Sequence, residues 1–542
     1  MKMEFFRVKI SVVSKLTLFL LLFYFSPFVS RGTNKDPHAI NTTVYYIDPA
    51  GCDKTGNGSK ENPWSSLFFA CSRVNIPGSV IHINPGIYNE TKTCALASGV
   101  NIEGEGDISH IISHMKRGTG AISLISSSRA INNGNQKISF IRLDGELIAN
   151  RAFYINNRNN VAISHCTIID FRQKGIYAYN PPNNNPSSNL IIENCNFRNT
   201  GTSITLTSVS SSITRYCVFK EDERPGEICR IRYSRNCSGM IYHDNISYKP
   251  SNNLGKWNFT FEDWDTKGGN EVYDNEFYGG GQHIDIAGVA NVKGEYDFSW
   301  WIHHNKFQVN KIEHPNGNYN YAICFEGTNE DAIINNNIFI NFDRPFSINI
   351  SQSSRYVRNI RFCYNICQNT GGPFGHAGRN IQIYIESPQV VIEDIFIDNN
   401  VLSGAGNLAS NIFIQSVRKS EIRNIFIRNN IIEKTNSNVF RYGWLIVTSR
   451  TNANNFYIQN NILFDNYLNN RIAGKIRDLT YTNNIIADPL FVKPGTDFRL
   501  KPDSPAIKAG INIGLNRDLD KVPIEFKPDI GAFEYKESYN SD

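Results

Sequence analysis

Short runs of Ile, Val and Phe alternate with polar residues along most of this 542-residue chain, as in Gln382-Ile383-Tyr384-Ile385-Glu386. Alternation of period two puts successive side chains on opposite faces of a strand. The spacing of a helix face is nearly absent from these stretches, which excludes helical arrays. The strands come in a repeat, marked by a five-residue phrase: two residues, Asn, a variable residue, then an apolar one. It reads HDNIS at Asn245, YDNEF at Asn275, HHNKF at Asn305, NNNIF at Asn337 and CYNIC at Asn365, and recurs at Asn400, Asn430, Asn461 and Asn484. Upstream, Cys166, Cys195 and Cys217 take the Asn position. Successive markers lie 22 to 35 residues apart, a period that belongs to solenoids.

The pattern predicts an all-β solenoid of twelve or more coils, with each marker Asn at a tight turn. Asn tolerates the left-handed conformation such a turn needs. Stacked one per coil, Asn side chains can also hydrogen-bond along the stack. At ~4.8 Å per strand the rod would be on the order of 55 Å long. A first strand is expected at 44–48. Asn62-Pro63 reads as the start of a short helix, with Leu67, Ala70, Cys71 and Val74 on one face to plug the first coil. The coils run through Ile486, with loops after Tyr179 and at 371–378.

Three features together resemble the secreted bacterial right-handed parallel β-helix proteins of the pectate-lyase-like superfamily. They are the repeat over roughly residues 100–490, the stretch from Val44 to Glu90, and DPLFVKPGTDFRLKPDSPAIKAG followed by PDIGAFEY. The resemblance implies a right-handed parallel β-helix with a short N-terminal capping helix. The expected divisions are a signal peptide at 1–32, an N-terminal cap and first coils at 33–100, the β-helix at 101–487, and a closing segment at 488–542. It also implies a polysaccharide bound along one strand face.

The first residues support export. Lys2, Arg7, Lys9 and Lys15 precede the apolar run Leu16–Phe25, and the small residues Ser26, Ser30 and Gly32 follow. That is the order of a secretory signal, in a run short for a membrane span. The expected location is periplasm, cell surface or medium. A net charge of +5 suits an anionic partner weakly; the expected partner is an acidic polysaccharide, met by a monomer, with no nucleic acid and no membrane span. Of the 11 Cys, the three at marker positions read as buried thiols, and Cys229 and Cys237 are near enough in sequence to pair.

Candidate chemistry comes from the strands that precede the markers. Their apolar residues point inward and their neighbours outward. Cys229–Tyr233, Phe259–Asp263, His283–Ile286 and Ile323–Glu326 then turn out Arg230, Arg232, Glu262, His283, Asp285 and Glu326. Glu262, Asp285 and Glu326 fall on successive coils. Such a cluster asks for a cation, with Ca²⁺ the natural hard ion, or for a shared proton. Arg230 and Arg232 can hold a uronate carboxylate or a sulfate; pairing with Glu262 is the plain alternative. His283 is the candidate general base. Tyr177, Tyr179, Trp264 and Tyr384 are candidate sugar platforms, with Trp300 and Trp301 beside them.

The expected activity is a polysaccharide lyase acting on a uronate-containing glycan by β-elimination. His283 or an Arg would take the proton, with Glu262, Arg230 and Arg232 in the catalytic set. Two alternatives stay open: a glycoside hydrolase using two of the carboxylates, and a binding protein without catalysis.

Overall fold

The computed structural model describes residues 42–115, 120–125, 132–181, 185–220, 228–249, 258–288, 299–309, 320–351, 356–371, 378–405, 410–417, 420–435, 443–448, 451–466 and 472–537. The export segment lies outside them. Among the described residues no helix is long and apolar enough to cross a membrane.

The chain forms a right-handed parallel β-helix. One sheet of 14 strands runs from Cys94–Ala95 to Ile472–Ala473, and a 28-stranded sheet forms the rest of the coil wall. In the larger sheet each coil supplies one strand before the marker and a short one after it, such as Asn329–Asn335 and Ile338–Ile340. Pairing between coils is parallel throughout. Apolar residues stack in the interior at matching positions. Phe277, Phe307 and Phe339 lie ring on ring, with centroids 4.6 and 5.0 Å apart. Each such side chain contributes roughly 1.5–3 kcal/mol by burial.

The marker residues form a continuous buried ladder. Asn275 Nδ2 donates to Asn305 Oδ1 at 2.9 Å, Asn305 to Asn337 at 3.0 Å, and Asn337 to Asn365 at 3.0 Å. The pattern runs on through Asn400, Asn430 and Asn461 to Asn484. The left-handed conformation belongs to a different residue than expected. It falls on the one before each marker: Asp274 at φ 52°, His304 at 54°, Asn336 at 56°, Asn399 at 52° and Asn429 at 54°. That residue reverses the chain, so the marker side chain points inward. Cys166, Cys195 and Cys217 continue the ladder as buried free thiols. Cys237 is also a free thiol; the Cys229 side chain lies outside the described residues.

Both ends depart from expectation. The N-terminal helix is Leu67–Arg73, and its cap is Ser66, whose Oγ accepts from Phe69 N. Asn62-Pro63 sits outside it. Trp64 occupies the intervening turn, bridged to Ile47 and donating to Gly56 O. The buried Glu90 carboxylate completes the helix start by accepting from Leu67 N and Phe68 N, as an acid at a helix N-terminus should. Leu67, Ala70, Cys71 and Val74 are buried as the spacing predicted.

The C-terminal segment was expected to close the far end. It instead runs back along the flank, packing Phe491, Phe498 and Ile530 on Ile366, Val401, Ile431 and Ile462. Asn399 Nδ2 donates to Asp529 O, Asn429 Nδ2 to Ile511 O and Asn460 Nδ2 to Ala509 O. Leu479, Tyr481 and Ile486 of the last coil stay exposed.

Candidate functional site

The four strands expected to carry chemistry lie side by side in the 14-stranded sheet. Its register defines one outward row: Tyr177, Thr205, Arg232, Glu262, Asp285, Cys324, Ser347, Gln382 and Phe413. The flanking residues Ile231, Phe261, Ile284, Ile323 and Phe346 fill the interior, which fixes the row's direction.

Glu262 and Asp285 are register partners, so their strands are ~4.8 Å apart. The next residue in the row is Cys324, and Glu326 lies two residues further on, just past its strand. Alternation puts Cys324 and Glu326 on the same side, and only the register decides which one faces Asp285. One polar atom each of Asp285, Cys324 and Glu326 still lies within 4.8 Å of the others. Asp285 is 2% exposed, and its Oδ1 accepts from Gln282 Nε2 at 2.7 Å. Burial pushes its carboxyl well above the usual range, and Glu326 and Glu262 push it further. Burial raises Glu326 too. Glu262 is ion-paired with Arg232, Nε to Oε2 at 2.5 Å. Asp263, on the inward side, is held up to about 8 by burial and is a neutral acid at pH 7.

Arg230 and His283 were expected outward; both are buried. The sheet pairing explains why. It runs Cys229↔Phe259↔Gln282 and Ile231↔Phe261↔Ile284, stepping over Arg230, Thr260 and His283. The chain bends at that level and turns those side chains in. The His283 ring lies 5.5–6.0 Å from Phe277, Phe307 and Phe342. Its Nε2 is 3.0 Å from Gly279 O, which can only accept, so Nε2 carries the proton. Nδ1 then accepts from Thr260 Oγ1 at 2.9 Å. Burial, with Lys249 nearby, drives its pKa well down.

A ring so enclosed cannot meet a substrate. His283→Ala is therefore expected to cost about 2–4 kcal/mol of stability through two buried hydrogen bonds and lost packing. The folded fraction should keep its turnover. Because the folded state resists protonating His283, the wild type should lose stability as pH falls below about 6.5, where an unfolded His gains its proton. Melting curves at pH 5 and 8 check this. An inactive but fully stable His283→Ala protein would return the ring to the chemistry.

The aromatic candidates divide. Tyr177, Tyr179, Trp264 and Tyr384 lie on the outward side of this sheet, and Trp264 is 47% exposed. Tyr154, not anticipated, joins them: Tyr154–Tyr177 and Tyr177–Tyr179 centroids are 5.6 and 5.8 Å apart. Arg151 and Lys174 lie over the Tyr177 ring at 5.0 and 4.0 Å. The signal missed was alternation in Phe153–Asn156, which turns Tyr154 outward; Arg151 comes out as well because the pairing steps over Ala152. Trp300 is a core residue, edge-on to Phe261. Trp301 is exposed on the other sheet, with Nε1 donating to Asn335 Oδ1. Neither belongs to this face.

The donor set does not fit Ca²⁺. That ion takes six to eight oxygens. Here the middle ligand would be a thiol, which burial and the adjacent carboxylates keep protonated, and Glu262 is engaged by Arg232.

Residues 383–513 match the family model described as "Disaggregatase related", a stretch from the Ile381–Ile385 strand into the C-terminal segment. No curated protein matches the chain. Among solved structures it is similar to pectate lyase Pel9A, at 14% identity over 92% of this chain and 98% of that one, with a TM-score of 0.37. It is also similar to XylC in complex with xylose, at 11% identity over 91% and 98%, with a TM-score of 0.41. Alginate lyase from Paenibacillus sp. str. FPU-7 matches at 12% identity over 54% of this chain and 95% of that one, with a TM-score of 0.38.

Proposed function

We propose that this protein hydrolyses a glycan on the outward face of the 14-stranded sheet, with Asp285 as general acid and Glu326 as its partner carboxylate. The observation that carries this reading is the Asp285–Glu326 pair, with Asp285 buried and Glu326 half-buried. Burial raises both carboxyls, and Glu326 raises Asp285 further, which suits Asp285 to the protonated role and Glu326 to the ionised one. A protonated carboxyl can deliver its proton to the glycosidic oxygen as the bond breaks. The ionised partner then attacks the anomeric carbon. Water later attacks the resulting ester, with Asp285 taking a proton back. The two carboxyl groups lie within 4.8 Å of each other, close to the spacing of roughly 5–5.5 Å used by retaining enzymes.

Elimination fits less well. Of its expected bases, His283 is turned into the core among Phe277, Phe307 and Phe342, Arg230 is buried, and Arg232 is paired with Glu262. A uronate carboxylate would meet acids at the centre of the row, where among the described residues Arg232 is the cation of the row beside them.

Purified protein incubated with a polysaccharide panel tests the reading. Hydrolysis should release reducing ends without the ultraviolet absorbance of an unsaturated uronate, and the first product should keep its anomeric configuration by NMR. Absorbance would move the assignment to a lyase, and binding without cleavage to a non-catalytic role. Inversion would transfer the base role to Glu262. Activity is expected to survive exhaustive chelation unchanged; its loss, with recovery on adding Ca²⁺, would overturn the metal-free scheme.

A further inference from the structure

The last coil presents an unfinished core. Its strand in the 28-stranded sheet, Arg477–Thr482, pairs with Asn452–Gln459, and its strand in the 14-stranded sheet, Ile472–Ala473, pairs with Leu445–Val447. Among the described residues no strand pairs with the other edge of either. Three interior rows end there. Ile425, Phe456 and Leu479 are register partners, as are Ile427, Ile458 and Tyr481. Leu463 is followed by Ile486, since Ile462 bridges to Ile485. Phe456, Ile458 and Leu463 are fully buried, whereas Leu479, Tyr481 and Ile486 are 40, 43 and 71% exposed. These three hold the positions of core residues and have no further coil over them.

The opposite end is covered by the Leu67–Arg73 helix. Here the closing segment is engaged elsewhere, with Ala509, Ile511 and Asp529 tied to Asn460, Asn429 and Asn399 on the flank. An open strand edge over an apolar slab is a template for another strand. Whatever fits it must bring strand edges and an apolar slab of the same width, and a second copy of this end brings both. The charges permit the match. Residues 472–488 carry Lys475 and Arg477 against Asp478 and Asp488, a net charge of zero in a chain of +5, so two such ends do not repel. A twofold axis normal to the sheet keeps inward side chains inward and runs the two edge strands antiparallel.

We propose that this end face docks the same face of a second copy, tail to tail, giving a dimer. The second copy closes the core that Leu479, Tyr481 and Ile486 leave open and pairs with the outer edge of Arg477–Thr482. The contact is self-complementary and stops at two chains, because each molecule has one such end. The outward rows stay on the flanks of one continuous rod. Asp285 is six strands before the last in its sheet, so the two acid pairs would stand about 60 Å apart.

Sedimentation of the purified protein over a wide dilution series tests this. At micromolar concentration the mass should be that of two chains, with monomer appearing on dilution. Leu479→Lys combined with Tyr481→Lys should give monomer at every concentration. Trp301→Lys, at an exposed apolar side chain elsewhere on the same sheet, should leave the dimer intact. Hydrogen exchange of the parent gives a readout free of substitutions: amides of Arg477–Thr482 should exchange about tenfold or more slowly in the dimer than after dilution. If the doubled substitution unfolds the last coil, the parent's exchange decides. A parent that is monomeric throughout, assemblies that grow beyond two chains, a dimer kept by the folded end-face variant or broken in a folded Trp301→Lys protein, or edge amides whose exchange ignores dilution would each overturn the proposal. Edge amides protected in a monomer would do so by making the chain's own residues the cover.

Discussion

Asp285→Asn is expected to lower turnover of the susceptible glycan by about 10²–10⁴-fold, the usual worth of a positioned acid, in a protein that folds normally. The amide keeps an oxygen for Gln282 Nε2 but has no proton to give. The same change should stabilise. The folded state holds the Asp285 carboxyl neutral, whereas an unfolded chain ionises it near pH 4. Raising the pH above that point therefore favours unfolding of the parent. Asn mimics the protonated acid and escapes this loss. The melting temperatures of variant and parent should be close at pH 4 and diverge toward pH 8, the variant higher. Equal turnover in the two proteins would remove Asp285 from the acid role, and equal melting at pH 8 would show that the carboxyl is not held neutral.

Asn337→Leu should be the most damaging single change to stability outside the hydrophobic core. Asn337 Nδ2 donates to Asn365 Oδ1, Ile302 O and Asn335 O, and its Oδ1 accepts from Asn305 N and Nδ2. Leu would strand several buried groups at about 1–3 kcal/mol each, and a total loss of about 3–5 kcal/mol is expected. Asn337→Cys should cost less. Cys217 holds the equivalent position, with Sγ 3.2 Å from Arg215 O and 3.8 Å from Ile192 O. Denaturant titration of both variants checks the order. A Leu variant as stable as the parent would mean that the ladder is decorative.

The ladder was legible because its requirement is for one side-chain type at one place per coil, and sequence records that directly. The turn was misassigned by one position. A left-handed residue and an inward amide are both things Asn does well, and in NNNIF or DNNVL the two are adjacent. The outward row was legible wherever strands alternate without interruption, as at Arg232, Glu262, Asp285 and Trp264. It failed at Arg230 and His283, where the pairing steps over a residue. Nothing in His283-Ile284-Asp285-Ile286 marks that bend, since the geometry is imposed by the coils on either side. Glu326 was on the right side and in the wrong rung, because loops of unequal length set the register.

The flank-running C-terminal segment acts as a ruler. A free solenoid can gain or lose a coil by duplication or deletion at little cost, since each new coil satisfies its neighbours. Here Gly495, Ala509, Ile511, Asp518 and Asp529 are tied to Gln368, Asn460, Asn429, Asn336 and Asn399. Adding one coil within that span would slide every later tie by ~4.8 Å and break them together. Variation in coil number among descendants of this chain should therefore be confined to the part before Asn336, which includes the rungs of Arg232, Glu262 and Asp285 but not those of Ser347 and Gln382.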